Sequence, residues 1–269
     1  MMTRFDKSIS RLGLFLTMVC LLALWGCATP PPAVVEPDSS LLRVGVSPDA
    51  APLIYKQDQE IIGLEADMAL ALAEHLQKTA ILVELPWEDQ IQALLDNRID
   101  IIMSGMSVTA ARQYEIAFSK PYFKSGLMII VKDLHKFTFI KNRETAFAQS
   151  ITWRIGVVKG TTGEAFIRQK STGAKAIRAF ANQQEALHAL KAGRIDVFVH
   201  DAPMVLMMAA QNQTEGIKPL PIMLNEEYLA WGVNKNNPDL LEAVNAFIDQ
   251  SKQTGALQAT VKRWIPLAQ

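Results

Sequence analysis

The sequence predicts an α/β fold in which one strand-and-helix unit is written twice. Three observations carry that expectation. Predicted strands alternate with predicted helices along most of the chain. The phrase "NRIDIIMSG" at 97–105 returns as "GRIDVFVHD" at 193–201. "LRVGV" at 42–46 likewise returns as "WRIGV" at 153–157. Buried strands draw on Val and Ile in any parallel α/β protein, so one echo alone is weak. Echoes in matching order are better explained by two copies of a strand, helix, strand, helix, strand unit.

The first segment is an address. Arg4, Lys7 and Arg11 precede an apolar run from Leu12 to Trp25 that stops at Gly26 and Cys27. The run is shorter than the about 20 residues a membrane-spanning helix needs. A basic start, a short apolar middle and a small residue at the exit describe a secretory signal over 1–26. "ATPPPAVVEPDSS" then reads as an extended, Pro-rich tether over 27–40. Cys20 and Cys27, the two cysteines, both fall in this segment, so the folded body must rely on its core instead of disulfides. The chain carries 27 basic and 27 acidic side chains. Losing Arg4, Lys7, Arg11 and Asp6 with the leader leaves it slightly acidic, which gives no reason to expect nucleic acid.

Element by element, "LLRVGVSP" reads as a short buried strand. "GLEADMALALAEHLQ" is an amphipathic helix with Leu64, Met68, Leu72 and Leu76 on one face. "AILVELPW" is a strand, "EDQIQALLDNR" a helix and "IDIIMSGM" a strand. From Ile151 the order recurs as "WRIGVVKG", "TGEAFIRQK", "AIRAFAN", "QQEALHALKAG" and "IDVFVHD". Such alternation implies parallel pairing. "MVLMMAA" at 204–210 reads as the buried face of a helix, with Met as gap filler.

Ligands of open α/β sheets bind beyond the carboxyl ends of the strands. After "IDIIM" come Ser104, Gly105, Ser107, Thr109 and Arg112. After "RIGVV" come Lys159, Gly160, Thr161, Thr162 and Gly163, and after "IDVFV" come His200 and Asp201. An arginine makes paired, charge-assisted bonds to a carboxylate, and Asp201 can do the reciprocal job for an ammonium group. Arg112 on one wall and Asp201 on the other would fit a zwitterion. The alternative is a solvated Arg112 and an Asp201 that caps the helix before Pro203.

At the level of whole blocks, the chain resembles the periplasmic solute-binding proteins of polar amino-acid ABC transporters, the type II family 3 group. "WEDQIQALLDNRIDIIMSGMSVTAARQYEIAFSKPYF", "RIGVVKGTTGEAF", "ALKAGRIDVFVHDAP" and "YLAWGVNKNNPDLLEAVNAFIDQSKQTGALQATVKRWI" carry the resemblance over about 42–266. It implies a two-lobe fold, each lobe a mainly parallel sheet flanked by helices and the two joined by a two-strand hinge. Lobe 1 would comprise 41–126 plus 229–269 and lobe 2 would comprise 127–228, with crossings near 125–129 and 224–229. It implies that Arg112 holds a ligand α-carboxylate with the Thr162 amide, in the "GTTG" turn that also holds Thr161. Asp201 would receive the α-ammonium with Ser107 and Gly105. Ser104 would face the side-chain pocket, and Trp87 would either stack on the ligand or pack in the core. Leu24 to Cys27 resembles a lipobox, implying a lipid on Cys27 that anchors the chain to the membrane in the periplasm or at the cell surface. Plain secretion and an uncleaved anchor are the alternatives.

Departures leave the ligand open. Basic-amino-acid binders have an acid and an aromatic where this chain has Ser47 and Ala50, although Asp49 is close enough to substitute. Gly163 stands where many members have a larger polar residue, and Lys120 where they have Asp. The expected partners are a small amino acid and a membrane permease, with a monomeric chain. An enzyme of the cyclohexadienyl dehydratase kind on the same scaffold would need a general acid from Glu164, Lys159 or His200. A sensing module would need a separate partner for output. No cofactor or metal is expected: His75, His135, His188 and His200 are scattered, and no Gly-rich phosphate loop ends in Lys-Ser/Thr.

Overall fold

A computed structural model describes residues 39–266. The expected leader, Cys27 and nearly all of the tether lie outside the described residues. The first elements are β1 (Leu41–Val46), a meander of β2 (Asp49–Ala50), β3 (Ile54–Gln57) and β4 (Glu60–Ile62), then α1 (Leu64–His75), β5 (Thr79–Glu84), α2 (Gln90–Leu95), β6 (Ile101–Ile102), α3 (Ala110–Glu115) and β7 (Ala117–Phe118). β8 (Phe123–Ser125) leads into β9 (Leu127–Lys132), α4 (Arg143–Gln149), β10 (Arg154–Val158), α5 (Thr162–Lys170), β11 (Ala176–Phe180), α6 (Gln183–Lys191), β12 (Val197–Asp201), α7 (Ala202–Gln211) and β13 (Ile217–Leu220). The chain returns through β14 (Glu227–Leu229) to β15 (Gly232–Val233), α8 (Pro238–Gln253) and α9 (Ala256–Trp264).

Two five-stranded sheets result, ordered β5-β1-β6-β15-β7 and β11-β10-β12-β9-β13. In each, the first three strands run parallel, the fourth pairs antiparallel with the third, and the fifth pairs antiparallel with the fourth. The parallel expectation therefore holds for the strands joined by crossover helices. The segments on either side of the connection between lobes add the antiparallel ones, and that connection is the antiparallel pair β8 with β14.

The echoed phrases have one physical cause. In the first lobe the Arg43 backbone N and Nε donate to Asp100 Oδ2 at 2.7 and 3.1 Å, and Nη2 donates to Oδ1 at 2.6 Å. In the second, Arg154 makes the same bonds to Asp196 at 2.7, 3.0 and 2.6 Å. Each ties the first strand of its unit to the third. A fork-to-carboxylate pair fixes geometry as well as charge. The glycine two residues on makes room. A Cβ on Gly45 would lie 2.3 Å from Ile99 Cδ1, and one on Gly156 would lie 2.4 Å from Ile195 Cδ1, so both "RxG" and "RID" are packing statements.

The last helices lie on the first lobe. Trp264 Nε1 and Arg263 Nη1 donate to Asp67 Oδ2 of α1 at 2.7 and 3.0 Å. Lys120 pairs with Asp249 of α8 at 2.6 Å, which accounts for a cation at that position. Fully buried Trp231 stacks between Tyr122 and Phe247, with centroids at 5.3 and 6.1 Å. In α7, Met204, Val205, Met208 and Ala209 are buried as the pattern predicts.

Candidate binding site

The parallel strands β6 and β12 end toward each other, and the turns beyond them wall one cavity. Ser47, Trp87, Ser104, Gly105, Ser107, Arg112, Thr161, Thr162 and Asp201, which the sequence singles out, all line it, together with Asp49, His200, Gln183 and Met204. Among the described residues no group of three or more His, Cys, Asp or Glu is placed to hold a metal ion.

Arg112 sits in the first turn of α3, whose N-cap Thr109 accepts from the Arg112 amide at 3.2 Å. Its Nη1 donates to the Ser107 carbonyl at 2.9 Å and its Nη2 to the Gly160 carbonyl at 3.2 Å, one from each lobe. Trp87, on a short 3₁₀ turn, lies under the guanidinium with Cζ 5.1 Å from the ring centroid, and its Nε1 donates to the same Gly160 carbonyl at 3.1 Å. The indole thus shapes a cation–π seat. Burial pushes the Arg112 pKa down, and the charges of Asp201 and Glu227 oppose the shift. Because an arginine starts so far above neutrality, it stays cationic.

Asp201 ends β12 and stands at the N-cap of α7, yet its side chain makes no cap bond. The capping alternative therefore fails. Oδ2 lies 2.9 Å from His200 Nδ1, while Oδ1 is buried with no hydrogen-bond partner. A buried acceptor left unmade costs about 1–3 kcal/mol, so Oδ1 calls for a donor from outside the protein.

The remaining wall is built from neighbours that hold one another. Ser104 Oγ accepts from the Ser47 amide at 2.7 Å, and Ser47 Oγ donates to the Leu85 carbonyl at 2.8 Å. Thr161 caps α5 by accepting from the Glu164 amide at 3.3 Å. Thr162 opens that helix, so its amide has no intrahelical carbonyl to meet, while its Oγ1 donates to Glu227 Oε2 at 2.9 Å.

Glu227 and Glu65 escaped the sequence reading. Glu227 lies on the connecting strand β14, where Ser107 Oγ and Thr162 Oγ1 both donate to Oε2 and Asn225 Nδ2 donates to Oε1 at 2.8 Å. It ties residues of both lobes behind Arg112. Glu65, fully buried in α1, accepts from the Gly105 amide, from Tyr122 OH at 2.7 Å and from Trp231 Nε1 at 3.2 Å. Burial pushes its pKa up to about 7 against those three bonds.

Residues 42–267 match the family of bacterial extracellular solute-binding proteins, family 3. This chain belongs to that family. It is 29% identical over 225 residues to the L-cystine-binding protein TcyJ of Escherichia coli (strain K12), covering 83% of this chain and 82% of that one. Among solved structures, an ancestral arginine-binding protein bound to arginine superposes with a TM-score of 0.76 at 29% identity, over 84% of this chain and 98% of that one. The ancestral amino acid-binding protein AncCDT-1, described as a precursor of cyclohexadienyl dehydratase, superposes at 0.74 with 31% identity, over 84% and 95%. The family member described here thus has the type II two-lobe architecture of proteins that bind amino acids.

Proposed function

We propose that this chain captures a small amino acid between its lobes and delivers it to the membrane permease of an ABC transporter. One observation carries the reading: Arg112 and the unpartnered Asp201 Oδ1 line the same cavity. The guanidinium takes the α-carboxylate with the Thr162 amide, and Asp201 takes the α-ammonium. Ser47, Trp87, Ser104, Gly105, Ser107 and Thr161 complete the wall. Relatives named for cystine, arginine and glutamine support an amino acid as the ligand.

The lobes, taken as 41–126 with 229–269 and as 127–228, close by bending near 125–129 and 224–229. The closed form is the one the permease reads. A lipid on Cys27 holds the monomeric chain to the membrane on its exported side.

The dehydratase reading is favoured by the AncCDT-1 likeness alone. Burial would raise the Glu164 carboxyl, but the Gly160 amide at 2.9 Å and Arg168 at 2.8 Å outweigh it and hold the pKa below the ordinary carboxylate value. Lys159 pairs with Glu88 at 2.9 Å. Glu164 and Lys159 are thus not poised to protonate a ligand, which leaves His200 on the cavity wall as the candidate acid of that reading.

Calorimetric titration against the twenty amino acids and several small carboxylic acids, after unfolding and refolding to strip copurified ligand, tests the proposal. Heat from an amino acid should be reduced about hundredfold in affinity by either Arg112→Ala or Asp201→Asn. Binding only to acids that lack an ammonium group, indifferent to Asp201→Asn, would overturn it.

A further inference from the structure

α7 turns Met204 toward the cavity that holds Arg112 and Asp201, and Ala202, Pro203 and Leu206 toward a separate groove of about 610 Å³. At about 3.6 residues per turn, those two sets fall on opposite faces of the helix. The groove is walled by both lobes and floored by their connection: Leu257, Val261 and Ile265 come from α9 and the residue after it, and Phe123 and Ser125 from β8. Intervals of four along α9 make its three side chains one apolar stripe about 12 Å long, the shape of an extended hydrocarbon chain. The volume lies within the roughly 300–1,000 Å³ that small-molecule sites occupy.

The charges of the groove have one sign. The described residues that line it include Lys124, Lys252 and Lys262 and no acidic side chain. Lys124 pairs with Glu226 at 2.7 Å. Lys252 Nζ donates to the Pro121 carbonyl at 2.8 Å, and neither it nor Lys262 makes an ion pair among the described residues. Ser125 is 6% exposed, and its Oγ is buried with no hydrogen-bond partner. A hydroxyl donates as well as accepts, so among ammonium groups the partner that suits it is an anionic oxygen.

We propose that this groove is a second binding site, for an aliphatic carboxylate whose hydrocarbon chain lies along α9 and whose head accepts from the Ser125 hydroxyl in the field of Lys252 and Lys262. The site is joined to the first cavity. Ser125 pairs with Glu227 across β8 and β14, and Glu227 accepts from Ser107 and Thr162 of the two lobes. In this form the lobes meet across the cavity, where Arg112 Nη2 donates to the Gly160 carbonyl at 3.2 Å. An occupant that touches walls of both lobes favours the form in which they stand as they do here, so it tightens binding in the cavity and is itself tightened in return. That coupling rests on zwitterion capture between the lobes; the groove site does not.

Fluorine NMR of the full-length chain in lipid nanodiscs, with octanoate bearing a terminal trifluoromethyl group, tests the site. Partition into lipid is common to wild type and variants, so their difference belongs to the groove. A saturable bound signal is expected, displaced at least about tenfold better by unlabelled octanoate than by octylammonium or octanol. Ser125→Ala should weaken the probe about fivefold. Lys252→Gln combined with Lys262→Gln should remove the preference for octanoate over octanol, a ratio taken within one variant so that any change in folding cancels. Absence of a saturable signal, displacement by octanol or octylammonium as good as by octanoate, or variants that bind like the wild type overturn the site. Calorimetry with whichever amino acid binds should show capture at least about fivefold tighter at saturating octanoate. An unchanged affinity overturns the coupling and leaves the site, whereas silence from all twenty amino acids overturns zwitterion capture and the coupling with it, the fluorine signal deciding the groove separately.

Discussion

In the first lobe Arg43 meets Asp100 at 2.6 Å, and in the second Arg154 meets Asp196 at 2.6 Å. Four residues beyond each aspartate the likeness stops: one lobe has Ser104 and Gly105, the other His200 and Asp201. The second residue of the first helix in each unit differs in step, Glu65 in α1 and Gly163 in α5. In the first lobe the Gly105 amide is spent on the buried Glu65. In the second, the matching position leaves Asp201 Oδ1 unpartnered at the cavity. Residues that knit strands are kept in both copies, and residues at the strand ends have divided the work, one lobe presenting Arg112 and the other a carboxylate.

The largest effect should come from Glu65, which has no counterpart in the second lobe. Its pKa is pushed up to about 7 by burial, above the ordinary value of an unfolded chain. A carboxyl raised on folding favours the fold while it holds its proton. That contribution is complete below the unfolded value and is lost as pH rises through about 7. Stability should therefore fall by about 3 kcal/mol across this window on account of Glu65 alone. Denaturant titrations at several pH values should show the slope in the wild type and not in Glu65→Gln. An identical slope in both would mean that the asymmetry between the lobes has no electrostatic cost.

A smaller effect should test what the lobes share. Asp100→Ala leaves the Arg43 guanidinium and backbone amide without their acceptor, and should cost about 2 kcal/mol. Asp196→Ala should lower the denaturation midpoint in the same direction. A loss confined to one lobe would show that the repeated pair is structural in only one copy.

Much of this was legible in the sequence, for physical reasons that also mark where legibility ended. Strand-end residues such as Ser104, Arg112 and Asp201 could be found because local alternation locates the ends, and the two copies calibrate each other. The Arg43–Asp100 and Arg154–Asp196 bonds were visible only as an echo, since nothing local states that an arginine reaches a residue 57 or 42 positions on. Glu65 reads as an ordinary acid in a first helical turn, where the helix dipole favours it. Its burial depends on Tyr122 and Trp231, which lie 57 and 166 positions away. Gln183 reads as a polar helix start beside the Asn182 cap. Glu227 gains meaning only when β14 pairs with β8. The antiparallel strands β9, β13, β15 and β7 escaped because their partners come from distant segments.

The smallest effect separates the two glycines. Neither is needed for an unusual backbone angle; both are needed for space. In the second lobe a Cβ on Gly156 would meet chiefly Ile195 Cδ1 at 2.4 Å, with Phe180 Cε2 at 3.3 Å. In the first, a Cβ on Gly45 would meet Ile99 Cδ1 at 2.3 Å and also Gln90 Oε1 at 2.6 Å. Each alanine should cost about 1–2 kcal/mol by overpacking. Removing the offending methyl with Ile195→Val should recover most of the loss in Gly156→Ala, whereas Ile99→Val should recover only part of it in Gly45→Ala. Double-mutant cycles by denaturant unfolding would read the difference as a coupling energy smaller in the first lobe by less than about 1 kcal/mol. The residue that spoils the rescue is informative, because Gln90 Nε2 donates to Ser47 Oγ at 3.1 Å on the cavity wall. The space beside Gly45 thus serves the site as well as the sheet, and Gly45→Ala should weaken ligand binding where Gly156→Ala does not.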